Sequence, residues 1–441
     1  MIQTLQLILS LSILVVLHEF GHYITARFFG CRVEKFYLFM DWNFALFKKK
    51  IGETEFGIGW LPLGGYVKIA GFIDESMDAE GLESAPQPWE LRSKPAWQRL
   101  IVMLGGIIVN ILLAWFIYSA LLFSWGEKYT PMDSFKHGFS FNEGGEQLGF
   151  IDGDQILSID GVDIKEYNPM LIMSAILFEG AKEVTVFRDG RPNSIKIDPE
   201  DINTVINNIQ NYVGSILEPR IPWVVDDFMP NSIGEKSGLI KGDRIVAINE
   251  FETSFLSNGA LIYLKENAGK AITLTIQRGD DWLEELSMTL GDDGLIGVTN
   301  LSSEYERLRS YSLLASIPAG LIKTKSVVKM YWGQVKTIFN PKTGGYKHVG
   351  GVISIGKMFP GNWDWFSFWS MTALLSIILA IMNLLPIPAL DGGHALIAVG
   401  EMITGKKLPI SVLMPLQIAG MIMLFALLIY ANGMDVVRLF N

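Results

Sequence analysis

The chain has 441 residues, of which 49% are hydrophobic, and its formal net charge at pH 7 is -10. Its mean hydropathy of +0.30 is typical of an integral membrane protein rather than of a soluble globular one. The acidic charge excludes a general affinity for nucleic acid. Cys31 is the only cysteine, so the fold contains no disulfide bond within the chain.

Four apolar segments are long enough to cross a bilayer, which takes about 20 helical residues. They cover residues 4–26, 100–125, 366–390 and 408–430. The first lacks the basic start and the cleavage site of a signal peptide, so we expect it to remain in the mature protein. Lysine and arginine concentrate in the connections after the first and third segments. This predicts that these connections are cytoplasmic, and that both termini and residues 126–365 lie on the opposite side.

The first apolar segment contains the stretch "VVLHEFGHYITARFF", with the pattern H-E-x-x-H at His18, Glu19 and His22. On a helix, residues four apart lie on one face, so both imidazoles can bind one metal ion. Zinc activates a bound water, and a neighbouring glutamate can take its proton. The alternative is that these residues only form hydrogen bonds between helices. That role does not require a glutamate between the histidines, so we favour a zinc site.

Residues 56–72, "FGIGWLPLGGYVKIAGF", are apolar and rich in glycine, with two short alternating runs on either side of a Pro-x-Gly-Gly turn. This pattern predicts a β-hairpin. A hairpin of this composition either re-enters the membrane or lies on its cytoplasmic surface.

The segment between the second and third apolar segments contains an internal repeat. "GEQLGFIDGDQILSID" at 145–160 matches "GEKSGLIKGDRIVAIN" at 234–249 with an offset of 89 residues. The pattern resembles that of PDZ domains, which bind an extended peptide at a sheet edge. We place two such domains at 127–220 and 221–301; either could instead be only a spacer. In the following region, 302–365, the stretch 313–339 predicts an amphipathic helix at the membrane surface.

The motif "NLLPIPALDGGH" at 383–394 ends the third apolar segment. Pro386 and Pro388 break the helix, and Asp391 follows on the freed backbone at the membrane depth of the two histidines. Asp391 is therefore our candidate for the third zinc ligand. We expect the two following glycines to allow a tight turn. Three other acids, Glu34, Asp364 and Glu401, suit the position less well in depth or flexibility.

Two further side chains of this motif are candidates for the site. Asn383 could donate a hydrogen bond to a developing oxyanion, or could instead bind the carbonyls that the prolines free. His394 could be a fourth ligand, but it would then occupy the position that water needs. We therefore interpret His394 as a residue outside the ligand set.

These motifs together resemble the bacterial site-2 proteases of the RseP type over essentially the whole chain. The resemblance implies a mainly α-helical polytopic membrane protein with four transmembrane helices, a membrane-associated β-hairpin and two inserted α+β PDZ domains. It implies that His18, His22 and Asp391 bind Zn²⁺, that Glu19 is the general base and that Asn383 positions the substrate. It further implies that Gly64, Gly65 and Tyr66 belong to a hairpin edge that receives the unwound substrate. The family's glycine and asparagine in the second segment are present as Gly106 and Asn110, whereas Ile107 and Val352 stand where the family has proline.

The resemblance also implies a function. The chain is expected to be an intramembrane zinc metalloprotease that cuts single-span membrane proteins, such as an anti-sigma factor already trimmed outside the membrane or a signal-peptide remnant. It is expected in the bacterial inner membrane, with periplasmic PDZ domains that exclude substrates carrying bulky external domains. The alternatives are a PDZ-containing membrane scaffold with a vestigial metal site and, less favoured, a protease with a soluble catalytic dome. The scaffold alternative does not explain Glu19.

Overall fold

The computed structural model describes residues 2–61, 64–72, 85–209, 211–212, 214–256, 258–279, 282–300, 305–339 and 349–440. The chain forms two compact units. One consists of Met1–Gly126 and Ser310–Asn441, and the other of Glu127–Arg309. We call them the membrane unit and the inserted unit.

The secondary structure of the membrane unit begins with α1 (Ile2–Phe28), β1 (Val33–Leu38), β2 (Met40–Ile51), β3 (Thr54–Leu61), β4 (Tyr66–Ile69), a short 3₁₀ helix (Leu91–Ser93) and α2 (Ala96–Trp125). The inserted unit contains β5 (Glu127–Tyr129), a 3₁₀ helix (Met132–Ser134), β6 (Phe139–Phe141), α3 (Glu143–Gln147), β7 (Gln155–Ile159), β8 (Val162–Asp163), α4 (Pro169–Leu177), β9 (Glu183–Arg188), β10 (Arg191–Lys196), α5 (Pro199–Asn208), β11 (Leu217–Pro219), β12 (Ile221–Pro222), β13 (Val225–Phe228), α6 (Ile233–Lys236), β14 (Arg244–Ile248), β15 (Phe251–Glu252), β16 (Phe255–Leu256), α7 (Asn258–Glu266), β17 (Ala271–Arg278), β18 (Trp282–Thr289), β19 (Val298–Asn300) and β20 (Arg307–Arg309). The membrane unit then continues with α8 (Leu313–Phe339), α9 (Val352–Lys357), α10 (Trp365–Leu384), α11 (Asp391–Thr404) and α12 (Ile410–Phe440).

Four helices in the described part of the chain are long and apolar enough to cross a membrane: α1, α2, α10 and the stretch Ser411–Arg438 within α12. They correspond to the four predicted segments. The third is shorter than predicted, because α10 ends at Leu384 rather than at residue 390. Leu385 is already extended, and Pro386 and Pro388 cannot donate the amide hydrogen bonds that would continue the helix.

Helices α1 and α2 approach each other closely at glycines. A Cβ atom added to Gly21 would lie 2.3 Å from the carbonyl oxygen of Gly105, and one added to Gly105 would lie 2.6 Å from the carbonyl oxygen of Gly21. Small residues at such a crossing allow the two backbones to pack directly. This contact brings α2 alongside the two histidines of α1.

Buried polar side chains connect the transmembrane helices. Thr372 on α10 donates to the hydroxyl oxygen of Ser10 on α1 at 3.0 Å, and Ser376 donates to the backbone carbonyl of Asn110 on α2 at 2.7 Å. Lipid chains cannot form hydrogen bonds with polar groups, so bonds between helices satisfy these groups in a bilayer. They hold α10, and with it the chain that leads to Asp391, against the first two helices.

The strands that follow α1 form a four-stranded sheet in the order β2-β3-β1-β4. The predicted hairpin at 56–72 is wrong in its pairing. Strand β1 lies between β3 and β4, parallel to β3 and antiparallel to β4. The hairpin partner of β3 is instead β2, through a turn with Gly52 at a φ of 62°. The prediction missed this because β1 provides a hydrogen-bonding partner from an earlier part of the chain.

Helix α8 packs along α2. Its residues Ser316, Gly320 and Thr324, spaced by four, are buried on one face. A Cβ atom on Gly320 would lie within 2.8 Å of the backbone of Ser119 on α2, so the glycine permits close contact. The Trp115 indole donates to the Ile317 carbonyl at 2.8 Å. The predicted helix at 313–339 is present, and its position at the membrane surface remains a prediction.

The inserted unit contains the repeat as two sheets with the same strand order, β10-β9-β7-β8 and β18-β17-β14-β15. In the first, Arg188 donates to both carboxylate oxygens of buried Asp154, at 2.7 and 2.6 Å. In the second, Arg278 makes the same pair of bonds to Asp243, at 2.8 and 2.7 Å. The duplication seen in the sequence is therefore a duplication of structure. The hydrogen-bonded ion pair holds each Gly-Asp turn to its sheet.

Candidate metal centre

Helix α1 places His18 and His22 one turn apart on a buried face, as their spacing predicts. Asp391 lies at the start of α11 and points its carboxylate at both rings. Its Oδ2 atom is 3.2 Å from His18 Nε2 and 3.3 Å from His22 Nε2, and the two Nε2 atoms are 3.3 Å apart. In the described part of the chain, these three residues form the group able to hold a metal ion.

The triangle fits zinc. An ion bound tetrahedrally at about 2.0–2.2 Å keeps its ligand atoms about 3.3 Å apart, which matches all three sides. The Oδ2 atom of Asp391 is buried and accepts no hydrogen bond of normal geometry from the described residues. A buried carboxylate oxygen needs a partner, and a cation at the centre of the triangle would supply one.

Asp391 is positioned by the broken segment between α10 and α11. Ala389 adopts a φ of 87°, which reverses the chain just before the helix that Asp391 begins. The expectation that Gly392 and Gly393 form a tight turn is wrong, since both lie in the first turn of α11. A Cβ atom there would lie 2.3 Å from the carbonyl oxygen of Leu384 and 2.4 Å from that of Ile387, respectively. The glycines therefore allow α11 to pack on the preceding backbone.

Helix α2 contacts the Nδ1 atoms of both histidines. The Nδ1 atom of His22 lies 2.8 Å from the carbonyl oxygen of Val102, so this nitrogen donates and leaves Nε2 free to bind a metal. The Nδ1 atom of His18 lies 3.0 Å from the side-chain amide of Asn110. The Oδ1 atom of Asn110 is otherwise buried without a partner. If the amide is oriented with Oδ1 toward Nδ1, Oδ1 accepts from the Nδ1–H group and His18 Nε2 is also free for metal.

Gly106 makes this support possible. A Cβ atom at this position would lie 2.5 Å from His18 Cε1 and 2.5 Å from His22 Nε2. The roles of Gly106 and Asn110 were not predicted from the residues, although both had been noted as matching the family. The available signal was a glycine and a polar side chain one helical turn apart in an otherwise apolar segment.

Glu19 and Asn383 line the same cavity of about 60 Å³ as the three candidate ligands. The Nδ2 atom of Asn383 lies 3.1 Å from His18 Nε2, so its amide reaches the atoms that surround the metal position. The role of Asn383 toward a substrate remains a prediction. Glu19 and Asn383 thus both lie beside the three candidate ligands.

The remaining acids and His394 have other surroundings. Asp364 caps α10 by accepting from the Ser367 amide at 2.7 Å, Glu401 forms an ion pair with Arg99, and Glu34 lies 3.7 Å from Lys68. His394 packs its ring edge against Phe72, with centroids 4.8 Å apart, at the wall of the cavity. In the described part of the chain, it lies outside the group of three candidate ligands.

Gly65 and Tyr66 lie at the start of β4, the outermost described strand of the sheet, beside Glu19. A Cβ atom on Gly65 would lie 2.7 Å from the Tyr37 carbonyl oxygen and 3.5 Å from Glu19 Cγ. Gly64 precedes it with a φ of 133°. Tyr66 lines the cavity and donates to Asp41 at 2.8 Å. Strand β4, which Tyr66 begins, is paired in the described structure on one side only, with β1.

Comparison with known proteins identifies the family. The profile of peptidase family M50 matches residues 6–427, and the chain belongs to this family. A putative zinc metalloprotease of Neisseria meningitidis is 29% identical over 92% of both chains. The regulator of sigma E protease of Haemophilus influenzae is 27% identical over 98% of both, and the regulator of sigma-E protease RseP of Escherichia coli is 28% identical over 90% of both.

The class of the protein follows from these matches and from the fold. It is a zinc metalloprotease of the site-2 type. With its four apolar helices, it is a polytopic protein of the bacterial inner membrane.

Proposed function

We propose that this protein cleaves the transmembrane helix of single-span membrane proteins inside the bilayer, as a step of regulated intramembrane proteolysis. The observation that carries this proposal is the triangle of His18, His22 and Asp391 next to Glu19, in a cavity among membrane helices. A soluble protease would not place these groups on a transmembrane segment, where ionisable residues are costly. The proposed substrate is an anti-sigma factor already trimmed outside the membrane, because two relatives are named regulators of sigma E.

Each residue of the site has a proposed role. His18, His22 and Asp391 hold Zn²⁺, which when bound supplies the Lewis acidity that activates a water and polarises a peptide carbonyl. Glu19 takes the proton of the attacking water and then delivers it to the nitrogen of the leaving amine. Asn383 donates a hydrogen bond to the carbonyl oxygen as negative charge develops there.

Strand β4 is the proposed docking edge for the substrate. A transmembrane helix hides its amides in its own hydrogen bonds, so it must unwind before it is cut. Strand β4 is the outermost described strand of its sheet, and it can replace the lost bonds by adding the unwound segment as a further strand. Gly64, Gly65 and Tyr66 lie at the start of this edge, and Gly65 lies next to Glu19. An added strand would therefore pass the proposed general base.

We further propose that the inserted unit consists of two PDZ domains, at 127–220 and 221–301, in the periplasm. Support comes from the repeated strand order and from the matching Asp154–Arg188 and Asp243–Arg278 pairs. The basic connections after the first and third helices favour a cytoplasmic position for those connections and for the nearby active site. In this position the PDZ domains would exclude substrates that still carry a large external domain.

The test is cleavage of a single-span substrate by the purified, zinc-loaded protein in proteoliposomes. Wild-type protein should release two fragments cut within the membrane segment. Glu19→Gln should keep stoichiometric zinc and lose at least 99% of the activity, because an amide of the same shape cannot accept the proton. This expected loss corresponds to the factor of about 10²–10⁴ that general-base catalysis contributes.

Two results would contradict the proposal. Stoichiometric zinc without cleavage in the wild type would favour a scaffold with a structural metal. Wild-type activity in Glu19→Gln would remove the general-base role. Glu34→Gln is the matched control, because Glu34 is an acid of the same unit that lies beside Lys68 and outside the catalytic cavity.

A further inference from the structure

Gln417 is a buried amide in the fourth transmembrane helix that the proposed mechanism does not yet use. Most of α12 is exposed, and in its most apolar window only 11% of residues are buried. Gln417 is an exception at 2% exposure. It lines the same cavity as His18, Glu19, Asn383 and Asp391.

The amide of Gln417 has no hydrogen-bond partner among the described residues, although it can donate two bonds and accept two. Since Gln417 lines the cavity, a bound molecule there could supply the missing partner. Gln6 on α1 is equally buried, but its Nε2 donates to the Pro360 carbonyl at 3.0 Å. An apolar residue would suit the fold better than Gln417 if packing were its only role.

The backbone fixes Gln417 beside the segment that positions Asp391. Gly420, one turn along α12, packs directly on the carbonyl group of Pro388, where a Cβ atom would overlap the oxygen. Pro388 is three residues before Asp391. Gln417 thus lines the cavity from a helix that contacts the segment leading to Asp391.

We propose that Gln417 is a substrate-binding residue whose amide forms hydrogen bonds with the main chain of the unwound substrate. This inference rests on the proposed function. An unwound segment in a cavity with little water has N–H and C=O groups that need partners, and strand β4 can satisfy only one edge of it. A carboxamide can serve a donor and an acceptor at once. It is also neutral, so it does not compete with Asp391 for the cation.

The experiment compares Gln417→Leu with Gln6→Leu, each in the active protein and in the Glu19→Gln background. Binding of a fluorescent single-span peptide to the Glu19→Gln proteins in nanodiscs gives Kd, and cleavage by the active proteins gives kcat and KM. Zinc content and Tm are measured for all of them. We expect Gln417→Leu to raise Kd and KM about tenfold, the effect of one or two lost hydrogen bonds, with unchanged zinc content.

The change in Tm separates binding from structure. Gln417→Leu should keep or raise Tm, since it removes an unpartnered buried amide, whereas Gln6→Leu should lower Tm and leave KM unchanged. Gln417→Asn, which keeps the amide, should recover part of the affinity. Wild-type Kd and KM in Gln417→Leu, or a Tm loss as large as that of Gln6→Leu, would overturn the inference while leaving the protease function intact. Absence of both binding and cleavage in the parent proteins would instead refute the proposed function, and the inference with it.

Discussion

Replacing Asn110 by alanine should weaken zinc binding without disturbing the helix packing. The side-chain amide of Asn110 contacts His18 Nδ1 at 3.0 Å. With Oδ1 oriented toward Nδ1, loss of this side chain leaves the Nδ1–H group buried without an acceptor. The backbone carbonyl of Asn110, which accepts from Ser376, is retained. Removing the outer partner of a metal-binding histidine typically lowers metal affinity about 10–100-fold, which is about 1.4–2.7 kcal/mol. An unsatisfied buried donor costs a similar amount, about 1–3 kcal/mol.

The assay is competition for zinc against a chelator of known affinity, with Co²⁺ absorption spectra as a second reading of ligand geometry. Ser376→Ala is the matched control, because it removes the 2.7 Å bond to the Asn110 carbonyl but leaves the amide in place. It should cost about 1 kcal/mol of stability and leave zinc affinity unchanged. Asn110→Asp, which keeps an acceptor for the imidazole N–H, should restore affinity. If Asn110→Ala binds zinc within twofold of wild type, α2 does not support His18 in the way that the contacts indicate.

Three further predictions concern the metal ligand, the inserted unit and its ion pairs. Asp391→Ala should lose zinc and activity. Asp364→Asn is its control and should keep stoichiometric zinc, because Asp364 caps α10. Full zinc content and cleavage in Asp391→Ala would reopen the choice of third ligand. The inserted unit, Glu127–Arg309, can be replaced by a short linker because β5 and β20 pair at its two ends. This variant should cleave a substrate that keeps its large external domain. A folded variant that cuts neither the long nor the trimmed substrate would show that the unit recruits substrate. Arg188→Leu should destabilise the inserted unit by about 3–5 kcal/mol, read by hydrogen exchange in the full-length protein, because it leaves the buried Asp154 carboxylate unpaired. The control is Arg307→Leu, which breaks the exposed pair of Arg307 and Asp133 and should lower the stability by less than about 1 kcal/mol. Equal losses of stability for the two arginine variants would contradict the reasoning.

Features that depend on local chemistry could be predicted from the sequence. The helical period alone places His18 and His22 on one face, and two prolines break the third helix wherever its tertiary contacts lie. The repeat was also visible, because each copy needs the same Gly-Asp turn before its strand. Asp154 and Asp243 occupy that turn at equivalent positions in the two sheets.

Features that depend on contacts between distant segments were decided by the tertiary structure. Residues 56–72 have the composition of a hairpin, yet β1 pairs with both of its strands, and hydrogen-bonding partners outside a segment leave no mark within it. Gly392 and Gly393 were assigned to a turn, but the close approach of Leu384 and Ile387 explains them.

The contacts around the metal ligands were decided in the same way, although Asp391 and Asn383 had been predicted for the site from the sequence. His18 is held by Asn110 from α2, approached by Asn383 from α10 and joined by Asp391 from α11. The sequence by itself determined which residue types can bind zinc and which helix carries the first two. The sequence also indicated Asp391 as the third ligand. Only the packing of four helices determined the contact with Asn110 and the distances between these side chains, because an α-helix fixes the direction of its own side chains but not the identity of its neighbours.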